Sequence, residues 1–226
     1  MKQLRNILII LFYLTGLPYL RRLLLNKPLV RVWCLHDIKE SEVSKFEERL
    51  KYLKSKYNII SASDFKSNNL DKKKLNILLS FDDGYSNWLE YVLTVLDQYE
   101  IKAIFFINDD FKEYSDRLTE KGHTLGGHSM THKYLTKLSD KELNQEVDGS
   151  IRSDYFAYPE GDKESFNAKV ISKISESYKY AFTIIPGFNN KKSNSYILHR
   201  DSLDPSTPLW LFKLWFKGCY DFKKWI

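Results

Sequence analysis

Apolar positions follow two alternating patterns from Leu29 onward. Some runs of apolar residues are short and nearly continuous, such as 75–81 and 101–107, as in strands that are buried on both faces of a sheet. Between such runs, apolar residues recur at helical spacing, as in 43–57. Strands that alternate with helices predict parallel βαβ units and an α/β fold. No Pro-, Gly- or Ser-rich linker interrupts the pattern, so residues 29–226 are predicted to form one domain.

Residues 1–28 depart from this pattern. An apolar run from Ile7 to Leu14 precedes Pro18 and the basic pair Arg21 and Arg22. A helix that crosses a bilayer needs about 20 apolar residues, and this run is shorter and is followed by a proline. Its length is typical of a signal peptide, but no small-x-small cleavage motif follows. We favour a membrane anchor or interfacial segment, on an unspecified side of the membrane; an export signal and a helix packed on the domain stay open.

Composition and charge narrow the class of protein. The 226 residues include 43% hydrophobic and 15% aromatic residues, which excludes a disordered or fibrous chain. The 35 Lys and Arg against 29 Asp and Glu give a net charge of +6, but these basic residues are spread along the sequence. No motif for nucleic-acid binding is found, so nucleic acid is not an expected partner. Attraction to an anionic membrane or a solvated basic surface fits better.

Three clusters of chemically active residues each follow a predicted strand. Asp82 and Asp83 are adjacent carboxylates that can take separate roles, although an Asp at such a turn also caps helices. His128 and His132 stand four residues apart, which on a helical turn would place both imidazoles on one face, able to hold a metal ion. The third cluster, 156–161, is by itself only a Pro-x-Gly turn. A carboxylate with two imidazoles, beside a second carboxylate, indicates a metal-assisted hydrolase.

The segments SFDDG, HSMTH and YPEG, in this order, closely resemble the first three motifs of NodB-type polysaccharide deacetylases, carbohydrate esterase family 4. The resemblance covers roughly Leu29 to Asp201 and implies a distorted, incomplete (β/α) barrel. It implies an enzyme that removes N-acetyl groups from an N-acetylated sugar in a polysaccharide or lipid-linked glycan. In such an enzyme Asp83, His128 and His132 would bind a divalent metal ion, usually zinc, and Asp82 would take the proton of the attacking water.

The resemblance also implies how the oxyanion and the base are held. The backbone amide of Glu160, which follows Pro159, would stabilise the oxyanion together with the metal. Glu160 itself replaces an aromatic residue that is common in the family. Many relatives carry an arginine that orients the base where this chain has Ala157, and Arg200 is a candidate to supply that cation instead.

Two histidines compete for the role of general acid. The form FAYP-x-G resembles the branch that includes poly-β-1,6-N-acetylglucosamine deacetylases, in which the acid lies near the N-terminus; His36, within CLHD, matches that position. His199, within ILHRD, resembles the more usual C-terminal motif. We favour His36, and a buried histidine of the core is its alternative. His123 is expected on a surface turn.

Other functions stay open beside the deacetylase. The same fold and site are reused for other non-peptide C–N bonds, such as a formamide or a cyclic amide. A catalytically silent glycan-binding protein is a third possibility, although a base beside a metal set argues against it. The apolar stretch 208–218 predicts a helix that packs in the core, stacks on sugar or meets a membrane. The sugar linkage, the physiological metal and the oligomeric state stay open.

Overall fold

Eight parallel strands form one curled sheet in the computed structural model, which describes residues 2–25, 27–108, 111 and 114–221. Residues 1 and 26 of the predicted segment 1–28, and residues 109–110, 112–113 and 222–226 of the predicted domain 29–226, lie outside the described residues. The strands are β1 (Val30–Leu35), β2 (Asn58–Ile60), β3 (Asn76–Asp83), β4 (Ile104–Ile107), β5 (Thr124–Gly127), β6 (Tyr155–Ala157), β7 (Tyr180–Phe182) and β8 (Asp201–Ser202). Their order is β7-β6-β5-β4-β3-β1-β8, with β2 also paired to β3.

The helices mostly connect successive strands, but the first two precede β1 and the last follows β8. They are α1 (Lys2–Leu14), α2 (Leu17–Leu24), α3 (Val43–Lys56), α4 (Ala62–Ser67), α5 (Val92–Gln98), α6 (Ser115–Glu120), α7 (Asp140–Asp148), α8 (Ala168–Ser175) and α9 (Leu209–Phe216). The start of α7 shows why the sequence places a helix there. Ser139 and Glu142 form a capping box, in which each side chain accepts a hydrogen bond from the other residue's backbone amide.

Side chains of the strands alternate between two apolar layers. In β1, Val32 points into the curled sheet, where it packs with Leu78 and Phe106. Its neighbour Trp33 points outward into the layer shared with the helices, where it contacts Phe212 of α9. Because both layers are apolar, β1 is buried along its whole length, which explains its nearly continuous apolar sequence.

The sheet curls into a barrel that stays incomplete, as expected. Between its edge strands runs the segment 198–202. Leu198 forms an isolated parallel bridge with Phe182 of β7, and Asp201 and Ser202 pair with β1 as β8. This segment therefore connects the two edges over a short length, and it brings Arg200 to the interior, where its guanidinium lies over the ring of Phe106.

The two N-terminal helices lie against the domain. Ile9 and Pro18 are buried, and Nη1 of Arg21 donates a 2.6 Å hydrogen bond to Asp221 near the other end of the chain. Among the described residues, no single helix has the length and apolar character needed to cross a bilayer. Asn6–Leu14 and Leu17–Leu24 pass that test only as a pair, bent by 66°.

The predicted helix of 208–218 is present as α9 and packs mainly in the core. Leu211, Phe212 and Trp215 are buried, whereas Trp210 is 45% exposed. Gly218, just beyond the helix, has a φ of 87°, a conformation that glycine adopts without strain.

His123 lies in the core, so its expected place on a surface turn is wrong. Only 5% of the residue is exposed, and its ring meets Phe105 edge-on at 5.1 Å between centroids. The backbone amide of Ala103 donates a hydrogen bond to Nδ1 at 3.2 Å. Burial, reinforced by the nearby Lys102, lowers the pKa of His123 to about 4.

We expect His123 to make the protein sensitive to acid. The unfolded chain takes up this proton near pH 6.5 but the folded chain only near pH 4, so stability falls as pH decreases through this window. The depressed pKa corresponds to a loss of about 3 kcal/mol in the free energy of unfolding. A His123→Gln variant, which can still accept from Ala103, should lose much less stability between pH 6.5 and 4 in urea unfolding. Equal losses in both proteins would contradict this assignment.

Candidate active site

Three of the predicted site residues converge at the carboxyl ends of β3 and β5. Oδ1 of Asp83 lies 3.3 Å from Nε2 of His128 and 3.3 Å from Nε2 of His132. The two rings are 4.9 Å apart between centroids. Although burial favours the neutral acid, these imidazoles hold the pKa of Asp83 well below its usual range. This edge of a parallel α/β sheet is where such folds place their active sites.

The predicted helical turn at 128–132 is wrong, because these residues form a loop after β5. Ser129 and His132 have φ values of 61° and 57°, in the left-handed region that side chains rarely adopt. Oγ of Ser129 accepts a hydrogen bond from the backbone amide of His132 at 3.1 Å. The loop, rather than a helical face, therefore brings the two imidazoles together.

Two groups outside the metal-ligand set hold this loop. Nδ1 of His128 lies 2.8 Å from the carbonyl oxygen of Ala157, which leaves Nε2 directed at Asp83. The buried carboxylate of Glu146 in α7 accepts hydrogen bonds from the amides of Met130 and Thr131, at 2.9 and 2.8 Å, and from the Thr131 hydroxyl.

A divalent metal ion fits Asp83, His128 and His132. Their donor atoms lie within 4.8 Å of one another, and a carboxylate with two imidazoles is a donor set that zinc and other divalent ions accept. Oδ1 of Asp83 is buried and accepts no well-aligned hydrogen bond within the described part of the chain, despite the two nearby nitrogens. Three lone pairs that face one another in this way are satisfied by a cation between them.

Asp82, the predicted base, points into the barrel and pairs with Arg200. The guanidinium donates to both carboxylate oxygens, Nη1 to Oδ1 and Nη2 to Oδ2, each at 2.6 Å. Burial of Asp82 favours the protonated acid, but the Arg200 charge outweighs it and lowers the pKa of Asp82. Arg200 therefore supplies a cation to the predicted base, in a chain whose third motif has Ala157 in place of an arginine.

A second group of possible ligands, Cys34, His36 and Asp82, lies within the same 4.8 Å limit. It suits a cation less well. Asp82 already binds Arg200 through both oxygens, and Sγ of Cys34 donates to its Oδ2 at 3.4 Å. Burial raises the pKa of this thiol, so the thiolate that a metal needs is disfavoured.

The structure places His36 beside Asp82 and the ring of His199 beside Ile185 and Gly187. The carbonyl of His36 accepts a 2.9 Å hydrogen bond from Nε1 of Trp88, which fixes the turn after β1. Nδ1 of His199 lies 3.2 Å from the carbonyl oxygen of Ile185, and its ring packs over Gly187. Arg200, the next residue, binds Asp82 through its guanidinium.

The turn of the third motif follows β6. Glu160 is exposed and has a φ of 61°, and the amide of Gly161 donates to the carbonyl of Pro159 at 2.7 Å. Within the described residues, the Glu160 amide has no hydrogen-bond acceptor. The carboxylate of Glu160 contributes to the raised pKa of His132, behind the dominant contact with Asp83, so this turn lies near the metal ligands.

Sequence reasoning missed three supporting residues. Glu146 occupies the apolar stripe of α7 between Leu143 and Val147, and a charged residue at a core position was the available signal. Asn87 donates to Asp37 and to the carbonyl of Ile38, and thereby holds the His36 turn; no local pattern marks it. Arg31 is the third.

Arg31 connects the segment beside the base to the N-terminal helices. Its buried guanidinium binds Asp201 at 2.6 and 2.7 Å and Asp221 at 2.7 Å. Asp221 also binds Arg21 of α2, and Asp201 follows Arg200 directly. The available signal was a charged residue within a strand whose other positions are apolar.

Comparison with known proteins identifies the family. A family model described as polysaccharide deacetylase matches residues 69–181, half of the chain. The peptidoglycan-N-acetylmuramic acid deacetylase PdaA of Bacillus subtilis is 32% identical over 81 residues, which cover 34% of this chain and 31% of the relative. A peptidoglycan-N-acetylglucosamine deacetylase of Bacillus cereus is 27% identical over 130 residues, 56% of this chain and 43% of the relative. The chain spans about a third or less of the length of the first curated relatives that it matches.

Solved structures share the fold. The deacetylase PplD of Streptococcus pyogenes, in complex with acetate, superimposes with a TM-score of 0.70 at 18% identity over 84% of this chain and 99% of that one. IcaB of Ammonifex degensii gives a TM-score of 0.67 at 15% identity, over 87% and 97% of the two chains. Since the family model extends over half of the sequence, we conclude that the chain belongs to the polysaccharide deacetylase family.

Proposed function

We propose that this protein is a divalent-metal-dependent hydrolase that removes N-acetyl groups from an N-acetylated sugar in a polysaccharide or lipid-linked glycan. The observation that carries the proposal is a base, Asp82, which Arg200 keeps ionised directly beside the set Asp83, His128 and His132. Membership of the deacetylase family and the names of its relatives support the same reaction class.

Asp83, His128 and His132 would hold the metal, for which we propose zinc because two imidazoles and a carboxylate are common zinc ligands. A bound cation would supply Lewis-acid polarisation of the acetamide carbonyl. Nδ1 of His128 keeps its contact with Ala157, so that the ring stays oriented.

The remaining steps belong to the chain's own side chains. Asp82 would accept a proton from the attacking water at Oδ1, which keeps a lone pair that Arg200 does not use, whereas Oδ2 also accepts from Cys34. The Glu160 amide would donate to the oxyanion. His36 would protonate the departing amine, as in the branch that the FAYP-x-G motif resembles; its place beside Asp82 favours it over His199.

Release of acetate tests the proposal directly. Purified protein is incubated with β-1,4- and β-1,6-linked N-acetylglucosamine oligomers, with and without a chelator, and acetate is measured. We expect release that the chelator abolishes and that added Zn²⁺ restores. If zinc-loaded protein releases no acetate from any acetylated sugar, the proposal fails. Turnover of formamides or cyclic amides would then indicate another C–N hydrolase, and binding without turnover a silent glycan-binding protein.

We expect Glu146 to support metal binding without touching the metal. Removal of its carboxylate by Glu146→Ala frees the amides of Met130 and Thr131 and loosens the loop that carries both imidazoles. Loss of such supporting contacts typically weakens metal affinity about 10–100-fold. Competition with a fluorescent zinc chelator measures this, and Lys141→Ala, an exposed change in the same helix, is the control. Unchanged zinc affinity in Glu146→Ala would show that the loop keeps its conformation without the Glu146 carboxylate.

A further inference from the structure

Exposed apolar side chains are concentrated on the first two helices. Of the twelve large hydrophobic residues that are exposed in the described part of the chain, eleven lie between Ile7 and Leu24, and the twelfth is Trp210 of α9. We call these twelve the N-terminal apolar face: Ile7, Leu8, Ile10, Leu11, Tyr13, Leu14, Leu17, Tyr19, Leu20, Leu23, Leu24 and Trp210. A patch of this kind on a folded protein marks an interaction surface.

The domain holds this face in place from behind. Ile9 and Pro18 are buried on the opposite side of the same helices, and Arg21 is paired with Asp221. Nζ of Lys217 in the turn after α9 lies 5.0 Å from the centre of the Tyr13 ring. These contacts hold the face on the body of the protein, from where it can meet a lipid surface.

Charge favours an anionic lipid leaflet as the occupant. Helices α1, α2 and α9 contain no Asp or Glu, whereas Arg22, Lys213 and Lys217 stand on or beside them. Tyr19 is 70% exposed and joins Trp210 as an amphipathic aromatic, the type that concentrates at the level of lipid headgroups. A second copy fits less well, because a twofold contact would bring like charges together with no acidic partner on these helices.

The face adjoins the catalytic edge of the barrel. Asn6 of α1 lines a cavity of about 530 Å³ whose other walls are residues 202–208, directly after β8, and α9. The amide of Leu203, one of these walls, approaches the carbonyl oxygen of Cys34 at 3.4 Å, two residues before His36. Leu203 of this cavity wall therefore lies beside the end of β1 that leads to the proposed general acid.

We propose that the N-terminal apolar face lies in the headgroup region of an anionic membrane and presents the catalytic edge to an acetylated glycan carried by that membrane. The second half of this statement rests on the proposed function. Docking orients the barrel so that its active site opens beside the lipid surface. The substrate class is then a glycan attached to lipid or growing at the bilayer.

Flotation of the full chain with vesicles tests the docking. Wild-type protein is mixed with phosphatidylcholine vesicles that contain or lack phosphatidylglycerol and is centrifuged through a density gradient. The variant Leu11→Asp/Leu20→Asp places charge in the face, and Leu14→Asp/Leu24→Asp repeats the test at other positions. Ser172→Asp/Ser177→Asp adds the same charge at exposed sites outside the face. Thermal unfolding checks that each variant is folded.

We expect wild type and the serine control to float with anionic vesicles, and both leucine variants to lose about tenfold or more in partition. Variants that float like wild type would overturn the proposal, as would wild type that stays unbound and sediments as a dimer. Acetate release from soluble oligomers should be equal in all four proteins, whereas release from a lipid-tethered oligomer should fall only in the leucine variants. Absence of acetate throughout would refute the proposed function and leave the flotation result standing.

Discussion

Replacement of Asp82 by asparagine should reduce the rate of acetate release by about 10²–10⁴-fold, the usual contribution of a general base. The amide keeps the shape of the side chain but has no lone pair basic enough to take a proton from water. Metal content should stay unchanged, because Asp83 and the two imidazoles make up the donor set without Asp82. Acetate release and zinc analysis of the same preparation measure both quantities.

The pairing with Arg200 allows a sharper version of this experiment. Asp82→Asn leaves a buried guanidinium without its counter-charge, and Arg200→Met does the converse, so each should destabilise the fold by about 3–5 kcal/mol. The double variant removes both charges and should be more stable than the sum of the two losses predicts. Activity should stay low in all three. Asp82→Asn with more than a tenth of wild-type turnover would remove Asp82 from the mechanism.

Replacement of His36 by alanine should reduce deacetylation of N-acetylated sugars by about 10²–10⁴-fold, since an amine leaves poorly without a proton. His199→Ala should cost less than tenfold, because that ring packs on Ile185 and Gly187, whereas His36 lies beside Asp82. The activity of both variants is measured as steady-state acetate release from whichever N-acetylglucosamine oligomer the wild type deacetylates faster.

A substrate with a good leaving group distinguishes the contribution of the proposed acid, His36, from that of the proposed base, Asp82. Hydrolysis of 4-nitrophenyl acetate releases a phenolate that needs no protonation, so His36→Ala should retain most of this activity while Asp82→Asn loses it. The reverse ranking, with His199→Ala inactive and His36→Ala active on acetylated sugars, would assign the acid to the C-terminal motif.

Local patterns in the sequence were sufficient to predict the α/β fold and to mark three clusters of candidate residues. Strands buried on both faces leave continuous apolar runs, and so 75–81 and 101–107 indicate the parallel sheet without any knowledge of its order. The adjacent pair Asp82 and Asp83 follows a predicted strand, which makes it a candidate site, and the family resemblance assigns its two roles. These features depend on residues that are neighbours in the chain.

Features that depend on distant residues were not predictable in the same way. Arg31 and Asp201 are 170 positions apart, and nothing in either local sequence indicates that they meet in the core. The loop that joins His128 and His132 depends on left-handed backbone at Ser129 and His132, which helical spacing does not reveal. His123 stands one residue before a short strand, where periodicity says little about burial.

The short closing segment has a consequence for the order in which the protein folds. Arg200 is synthesised 118 residues after Asp82, and the two meet only when Leu198 and β8 join the edge strands. Without the Arg200 guanidinium, an interior of low polarity would favour the protonated form of the Asp82 carboxyl group. A slip of one position at β8 would turn Asp201 toward Asp82. We therefore expect Asp82 to ionise late in folding, once Arg200 has been synthesised and the closing segment has joined both edges of the sheet.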